Sequence, residues 1–468
     1  MAIFYKEDMK DKIVQEAGGL RKPVLIKNTR CLCPQCLEVI DAEVIEKDGK
    51  IWLKKYCRKD GIFESLHLIT KPNIYHALAE IHRDRSAMPE GLILKLTTRC
   101  NQYCHYCFVN ANEKNMYDFD SAGISKSAGN FKGDVIYLSG GEPTLREDLF
   151  AIVRRIKKYG LKAILFTNGK KLADIDYVAG LKKAGVDAVI LQFDSLDDSD
   201  YIKIRGEALL ENKIRAVNNM KRYAVYLMLY ANIIEGINAD KITELFDFAL
   251  KNNNVRILFL NPLWNIGRQA SRGSLDAAAM LDMVCEELKI NEEYFIDCTR
   301  FSTYVFEILR KLRLKKGIKE PPCSVSCYFI RYANSYLPLD YFMDLKRINL
   351  FLRRTDKKID LRRNRLSNIM RLILSRDLYL LLTGILFNKK IFKICLNNFL
   401  YNLKYPRRFQ GLYFMFFNVL SVMVGQFPDK HNLDLSLTRT CNIHTALGAK
   451  GSLPTCLYEI YRDTGKIK

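Results

Sequence analysis

The sequence predicts an α/β protein: a partial (β/α)6, TIM-like barrel with a small N-terminal metal-binding β-hairpin domain and a mainly α-helical C-terminal extension. Three observations indicate this. Strand and helix patterns alternate between about 90 and 268, cysteines cluster near the N-terminus, and Leu, Ile, Phe, Lys and Arg dominate after 268. The chain of 468 residues, 49% hydrophobic and 27% charged, is globular in composition, which excludes collagen-like and generally disordered classes.

Six segments follow from these patterns. They are a leader (1–30), a metal-binding domain (31–75), the barrel (90–268), a cysteine-containing segment (269–344), a basic apolar helical segment (345–430) and a cysteine-containing tail (431–468). In the metal-binding domain, alternating runs flank Asp48-Gly49, a two-residue hairpin signal that would carry Cys57 back beside the turn in CLCPQC.

The barrel prediction rests on six β-branched runs separated by amphipathic stretches. Strands are expected at 92–97, 135–138, 163–166, 188–193, 225–233 and 255–260, with helices at 147–159, 171–184, 210–223 and 240–252 between them. Alternation of this kind indicates a parallel sheet, and the chemistry of such a barrel is expected at the carboxyl ends of its strands.

The 14 cysteines indicate metal chemistry rather than disulfides. The N-terminus, MAIFYKEDMKDKIVQ, has no apolar signal region, so we expect a cytoplasmic chain in a reducing compartment. In such a compartment, clustered thiols are better explained as metal or iron-sulfur ligands.

The central motif follows the first barrel strand as CxxxCxxC, with Cys100, Cys104 and Cys107. Three thiolates on one loop can hold a [4Fe-4S] cluster and leave the fourth iron without a ligand from that loop; the alternative is a zinc site with a distant fourth ligand. The second strand ends in Gly140, Gly141, Glu142 and Pro143, where glycines allow close backbone approach and the carboxylate could hold an amine.

Together these two elements resemble the radical S-adenosylmethionine (SAM) superfamily. The resemblance implies a [4Fe-4S] cluster on the three cysteines, SAM bound to its fourth iron, a 5'-deoxyadenosyl radical that abstracts hydrogen, and a low-potential ferredoxin or flavodoxin as electron donor. It implies that Tyr106 lies near adenine and that the turn at 140–143 meets the methionine amine. Asn168 and Asp194 would contact methionine or ribose, although both could equally be ordinary turn caps.

Further segments narrow the resemblance: LQFDSLDDSDYIKIRG (191–206), NIIEGIN (232–238) and NPLWNIGR (261–268). They are similar to the group containing archaeal tetraether lipid synthases and related pterin methyltransferase-like proteins. The group implies a rubredoxin-like N-terminal metal site and an auxiliary [4Fe-4S] cluster. Its candidate ligands are Cys323, Cys327, Cys441 and Cys456. Cys298 could ligate a further cluster and His444 could also be a ligand, whereas Cys285 and Cys395 are expected to be buried, inert thiols.

At the N-terminal site, Cys33, Cys36 and Cys57 are three expected ligands of a mononuclear iron or zinc ion. The sequence departs here from the group's pattern, because Cys57 is followed by RKDG, so either Cys31 or Asp60 must complete the site. We expect Cys31, since an all-thiolate set suits both metals.

The net charge of +22 is concentrated in one place. Between 345 and 408 there are 17 Lys or Arg and three Asp, interleaved with apolar runs. That mixture is typical of a helix lying at an anionic membrane surface, although a helical lid with a solvated basic face is the plain alternative. The uncharged stretch 409–428 favours a buried or interfacial helix over a transmembrane one. Binding of nucleic acid is disfavoured because no recognisable binding module is present.

We therefore expect a radical SAM enzyme that forms a C–C bond on a hydrophobic, lipid-like substrate, docked peripherally at a membrane. The alternative enzyme is a methyltransferase acting on a small heterocycle such as a pterin. A third hypothesis, a zinc-bound interaction protein without catalysis, is disfavoured by the intact CxxxCxxC motif.

Overall fold

The computed structural model describes residues 22–82, 89–112, 117–263, 265–268, 275–312, 321–332, 335–359, 418–448 and 451–466. The chain forms two compact units, the first comprising Met1–His76 with Lys430–Ser436 and the second Ala77–Asp429 with Leu437–Lys468.

The first unit contains a four-stranded antiparallel sheet. Its strands follow in chain order as β1 (Val24–Leu32), β2 (Val39–Lys47), β3 (Lys50–Cys57) and β4 (Gly61–Leu66). The predicted hairpin is confirmed, because Lys47 pairs with Lys50 across a two-residue turn in which Asp48 and Gly49 both have positive φ. A turn of this type requires positive φ at both central residues, which explains the Asp-Gly pair.

A distant segment of the chain completes this unit through buried charges. Asp434 is fully buried, and its carboxylate lies 3.0 Å from Lys27 Nζ and accepts from Thr29 Oγ1 at 2.5 Å. The Lys55 ammonium is also buried and donates to the carbonyl oxygens of Lys430 and His431 at 3.2 and 2.5 Å. Each buried charge thus has partners, as a stable interior requires.

The second unit contains the predicted partial barrel. Its six parallel strands are β5 (Gly91–Thr97), β6 (Val135–Gly140), β7 (Lys162–Thr167), β8 (Ala188–Gln192), β9 (Tyr226–Ile233) and β10 (Val255–Pro262). The described α-helices of the chain are α1 (Pro72–Ile81), α2 (Ser121–Asn130), α3 (Leu149–Lys158), α4 (Ile175–Ala184), α5 (Asp198–Arg205), α6 (Leu210–Arg222), α7 (Ile242–Lys251), α8 (Ala277–Leu288), α9 (Glu292–Lys311), α10 (Leu345–Lys358), α11 (Leu435–Thr440) and α12 (Thr455–Asp463). All six predicted strands and all four predicted barrel helices are confirmed.

Five further strands extend the sheet beyond both ends of the barrel. β13 (Val419–Gly425) runs parallel to β10 and pairs on its other side with antiparallel β11 (Ser324–Tyr332), which pairs with β12 (Ser335–Pro338). At the opposite end, β14 (Ile443–Ala446) pairs in parallel with β5 and continues to β15 (Ser452–Pro454). The described part of the C-terminal extension therefore combines helices with strands.

The predicted helix over 409–428 is wrong at 419–425, which form strand β13. This run, VLSVMVG, is almost entirely buried between two neighbouring strands. A short buried apolar run has no polar face, so its periodicity cannot separate strand from helix. Among the helices described here, none is both long and apolar enough to cross a bilayer. Most of the basic segment, including 360–417, lies outside the described residues.

Candidate functional site

A cavity of about 1010 Å³ occupies the interior of the barrel in the second unit. Successive side chains of a strand point to opposite faces, and the residues that line this cavity largely alternate along the barrel strands. On β5 these are Ile93 and Lys95, whereas Leu94 and Leu96 are buried on the other side. The cavity reaches the carboxyl ends of the strands, where the predicted site residues lie.

Cys100, Cys104 and Cys107 all line this cavity, on the loop that follows β5. Asn112 fixes the start of the loop, since its side chain accepts from Cys100 N at 2.7 Å and donates to Cys100 O at 2.8 Å. Burial raises the pKa of the Cys100 thiol to about 12. A thiol of that pKa stays protonated at neutral pH, so metal binding must displace its proton. Three cavity-facing cysteines on one braced loop fit a [4Fe-4S] cluster with three protein ligands.

Two residues of the segment 261–268 brace the same loop from outside. Arg268 donates to Cys104 O at 2.7 Å and to Ala111 O at 2.5 Å. Gly267 has φ +98°, and a Cβ placed there would lie 2.3 Å from Cys107 O. Only glycine permits this conformation and this close approach. The conspicuous NIGR sequence therefore positions the cysteine loop.

Glu142 supports the turn after β6 and also lines the cavity. Its side chain is 1% exposed and accepts from Thr144 Oγ1, Thr167 Oγ1 and Asn168 N at 2.6 to 2.7 Å. These hydrogen bonds join the ends of β6 and β7. The expectation that the carboxylate could hold an amine stays a prediction. Gly140 and Gly141 line the cavity, while the buried Pro143 begins a short 3-10 turn.

Asn168 and Tyr106 both line the cavity, as expected for ligand contacts. The Asn168 side chain donates to Asn101 Oδ1 at 2.8 Å and accepts from Lys170 N at 3.0 Å, so it also ties the cysteine loop to the turn after β7. Tyr106 packs against an apolar cluster that includes Ile204. Their contacts with SAM stay predictions.

Asp194 is fully buried and is not among the residues lining the cavity. It accepts a bidentate pair of hydrogen bonds from Arg205, with Nε to Oδ2 at 2.9 Å and Nη2 to Oδ1 at 2.8 Å. Arg205 does line the cavity and lies beside Cys104. The structure thus corrects the expected direct role of Asp194: its carboxylate positions a guanidinium at the site, where that cation can bind a carboxylate group.

Sequence reasoning missed Arg205, and it also missed Lys213 on α6. The Lys213 ammonium is fully buried and donates to Asn168 O at 2.6 Å and to Gln192 O at 2.7 Å, which joins the ends of β7 and β8. Burial lowers the pKa of Lys213 to about 8. Arg205 lies directly before Gly206, the glycine that ends α5, but nothing local in the sequence shows that its side chain faces inward.

The N-terminal metal site in the first unit consists of Cys33, Cys36, Cys57 and Asp60. Their ligand atoms all lie within 4.8 Å of one another, with Cys36 Sγ and Cys57 Sγ 3.8 Å apart. Tetrahedral zinc with Zn–S bonds of about 2.3 Å requires sulfur atoms about 3.8 Å apart, so this geometry fits zinc. Asp60 Oδ2 lies 3.0 Å from Cys33 Sγ and 3.3 Å from Cys57 Sγ.

Cys31 does not join this set, which corrects the expected all-cysteine ligation. It is fully buried in an apolar cluster with Val44, Leu53 and Tyr75, and burial raises the pKa of its thiol to about 12. Cys33 belongs to a different cluster, with Ile40 and Cys57. Strand β1 ends at Leu32, the single residue between Cys31 and Cys33, so the strand holds Cys31 in the sheet core while the turn carries Cys33 to the metal site.

Replacing Asp60 by alanine should lower zinc affinity by about tenfold or more, because it removes the only oxygen ligand of the group. Competition with a chromophoric chelator measures the effect. Cys31→Ala is the matched control and should bind zinc as tightly as the unaltered chain. Equal zinc affinity in Asp60→Ala, or a loss confined to Cys31→Ala, would contradict this ligand set.

The C-terminal cysteines divide between two places. Cys323, Cys441 and Cys456 all line the barrel cavity. Burial, together with the neighbouring Cys441 and Cys323, raises the pKa of the Cys456 thiol. Cys327 does not join them: Ser324 and Ser326 of β11 face the cavity, so Cys327 lies on the opposite face, where it is fully buried. The expected four-cysteine set is therefore reduced to three.

The remaining candidates lie away from the cavity. Cys298 on α9 is fully buried and lies beside Tyr294, and Cys285 is half-buried on α8. His444 on β14 does not line the cavity, and its Nδ1 lies 3.2 Å from Ser452 Oγ. Cys395 lies outside the described residues.

Comparison with protein families identifies both parts of the chain. Residues 94–249 match the radical SAM superfamily, and residues 25–67 match the HMPTM N-terminal zinc ribbon domain. The chain therefore contains a radical SAM domain preceded by a zinc ribbon, and this combination implies an enzyme whose cofactors are a [4Fe-4S] cluster, SAM and the metal ion of the ribbon.

Among curated proteins, the chain is 26% identical to 7,8-dihydro-6-hydroxymethylpterin dimethyltransferase of Methanocaldococcus jannaschii, over 92% of this chain and 93% of that protein. It is 33% identical to a probable GTP 3',8-cyclase of Pyrococcus abyssi, over 37% of this chain and 57% of that protein. Among solved structures, it is similar to Streptococcus suis SuiB bound to S-adenosylmethionine, with 19% identity, a TM-score of 0.39 and coverage of 47% of this chain and 53% of SuiB.

Proposed function

We propose that this radical SAM enzyme transfers methyl groups to a pterin-like heterocycle. The observation that carries the proposal is the barrel cavity, which places aromatic walls and charged groups beside the cysteine loop. Similarity along nearly the whole chain to a pterin dimethyltransferase supports the same substrate class.

The cavity suits a flat, polar ring. Tyr230 lines it, with its ring centroid 5.4 Å from that of Phe166 and 5.1 Å from that of Phe259, and Tyr137 faces the same space. Aromatic side chains in such an arrangement offer both ring faces and ring edges to an inserted heterocycle. A volume of about 1010 Å³ leaves room for SAM and a small substrate together.

The residues of the chain would bind, orient and enclose the reactants. Cys100, Cys104 and Cys107 would hold the cluster, which together with SAM supplies a 5'-deoxyadenosyl radical for hydrogen abstraction. Arg205, fixed by Asp194, is the cation placed to bind the carboxylate of SAM.

We further propose that Cys323, Cys441 and Cys456 hold an auxiliary [4Fe-4S] cluster in the wall of the same cavity. Two of these cysteines flank β14 and β15, which pair with the first barrel strand and so fix the tail beside the site. The enzyme would receive electrons from a low-potential ferredoxin or flavodoxin.

The lipid hypothesis depended on the basic segment 345–430, of which the structure describes only 345–359 and 418–430. In the described part, Arg353 forms an ion pair with Glu80 at 2.7 Å, so one of its basic groups is engaged within the second unit. Peripheral attachment to a membrane stays a prediction. We therefore place pterin methylation ahead of lipid C–C bond formation.

The test uses protein reconstituted anaerobically with iron and sulfide and then incubated with SAM, dithionite and 7,8-dihydro-6-hydroxymethylpterin. We expect mass spectrometry to show a methylated pterin together with 5'-deoxyadenosine, and neither product when dithionite is omitted. If the pterin is unchanged and lipid masses change in cells that express the protein, the lipid hypothesis replaces this one.

A further inference from the structure

A buried ion pair lies in the cavity wall beside the cysteine loop. Lys95 on β5 and Glu459 on α12 both line the cavity, with Lys95 Nζ 2.5 Å from Glu459 Oε1 and side chains 10% and 2% exposed. The Lys95 ammonium also lies 4.8 Å from the centroid of the Tyr458 ring. Burial of two charges in the interior of a barrel costs desolvation free energy, which other interactions must offset.

Arg462 links the Lys95–Glu459 ion pair to the cysteine loop. Glu459 Oε2 accepts from Arg462 Nε at 2.8 Å, and the same guanidinium donates to Phe108 O and Val109 O at 2.9 and 3.0 Å. Phe108 and Val109 follow directly after Cys107. The position of Lys95 is thereby fixed relative to the atoms that would hold the cluster.

The Lys95 ammonium has donor capacity that the described residues do not use. An ammonium has three N–H donors. Apart from the ion pair with Glu459, Lys95 Nζ makes no hydrogen bond to any residue that the structure describes, although the atom is buried. A hydrocarbon chain in the cavity would leave these donors unpaired, whereas a ring carbonyl would accept from one of them.

We propose that Lys95 donates a hydrogen bond to the 4-oxo oxygen of the substrate's pyrimidine ring, with Glu459 as the fixed counter-ion that aims it. This inference rests on the proposed function and names the residue that selects its substrate. Selectivity follows because a buried donor left unpaired penalises analogues that lack the acceptor.

The test measures anaerobic binding of 7,8-dihydro-6-hydroxymethylpterin to reconstituted protein in the presence of SAM. Lys95→Met keeps most of the side-chain volume and removes the donors, so the dissociation constant should rise by about tenfold or more. Lys158→Met, which alters an exposed lysine on α3, is the matched control and should bind like the unaltered chain. Iron content equal to that of the unaltered chain establishes that Lys95→Met has folded.

A second ligand separates a direct contact from a structural effect. The unaltered chain should bind the 4-deoxo analogue about tenfold or more weakly than the pterin, and Lys95→Met should bind both alike. If Lys95→Met binds the pterin as tightly as the unaltered chain, or keeps the preference for the 4-oxo ligand, the inference is overturned. If the unaltered chain binds no pterin, the proposed function is wrong, and the proposed hydrogen bond from Lys95 is rejected together with it.

Discussion

Simultaneous replacement of Cys100, Cys104 and Cys107 by alanine should abolish reductive cleavage of SAM and remove about four irons per chain. All three thiols line the cavity from one loop, and the cluster that we propose they hold would supply the electron for cleavage. Iron and sulfide analysis of the reconstituted variant, together with chromatographic detection of 5'-deoxyadenosine, measures both effects. Cleavage should fall below detection, because the variant lacks the three thiols that would hold this cluster.

The matched control is Cys285→Ala, which removes a half-buried thiol of α8 that does not line the cavity. This variant should keep both the iron content and the cleavage rate. Cleavage that persists in the triple variant would contradict the assignment of the site, whereas loss of iron in Cys285→Ala would show that cysteine removal disturbs the chain generally.

The barrel could be predicted because its signals are local. The strands β5 to β10 are short, mainly apolar runs, and the barrel helices α3, α6 and α7 each have one apolar face. Strand β13 could not be predicted this way, because a run that is buried on both faces has no alternation to detect. Its position between β10 and β11 is set by tertiary pairing with segments far away in the sequence.

The positions of site residues could be predicted where the spacing of a motif determines them. They could not be predicted where interaction partners distant in the sequence determine them. The spacing of Cys100, Cys104 and Cys107 predicts one loop, and the structure brings the three cysteines together at the cavity. Position at a strand end drew attention to Asp194, but only the fold shows that its carboxylate turns to Arg205 and that Arg205 faces the cavity.

The N-terminal site makes the same point. The sequence allowed either Cys31 or Asp60 as the fourth metal ligand, and the suitability of an all-thiolate site for both iron and zinc favoured Cys31. The strand β1 decides otherwise, because it holds Cys31 in the sheet core while the turn after β3 brings Asp60 to the thiols of Cys33 and Cys57. Strand geometry thus outweighs ligand preference.

Single replacement of Cys456 by alanine should remove about four irons per chain while leaving the cluster of the barrel loop in place. Cys456 lies at the start of α12 and lines the cavity with Cys323 and Cys441, so its loss would leave two ligands for the proposed auxiliary cluster. Iron analysis measures the loss, and EPR spectra of the reduced protein should simplify to those of a single [4Fe-4S] cluster. Methylation of the pterin should be lost if the auxiliary cluster takes part in the reaction.

Cys327→Ala supplies the decisive control, because sequence spacing pairs Cys327 with Cys323 whereas the structure separates them. Its thiol is fully buried on the face of β11 opposite Ser324 and Ser326, away from the cavity. The variant should therefore retain the full iron content and the spectrum of two clusters. Loss of about four irons in Cys327→Ala, with none in Cys456→Ala, would restore the four-cysteine set expected from the sequence and overturn the three-cysteine set derived from the strand's alternation.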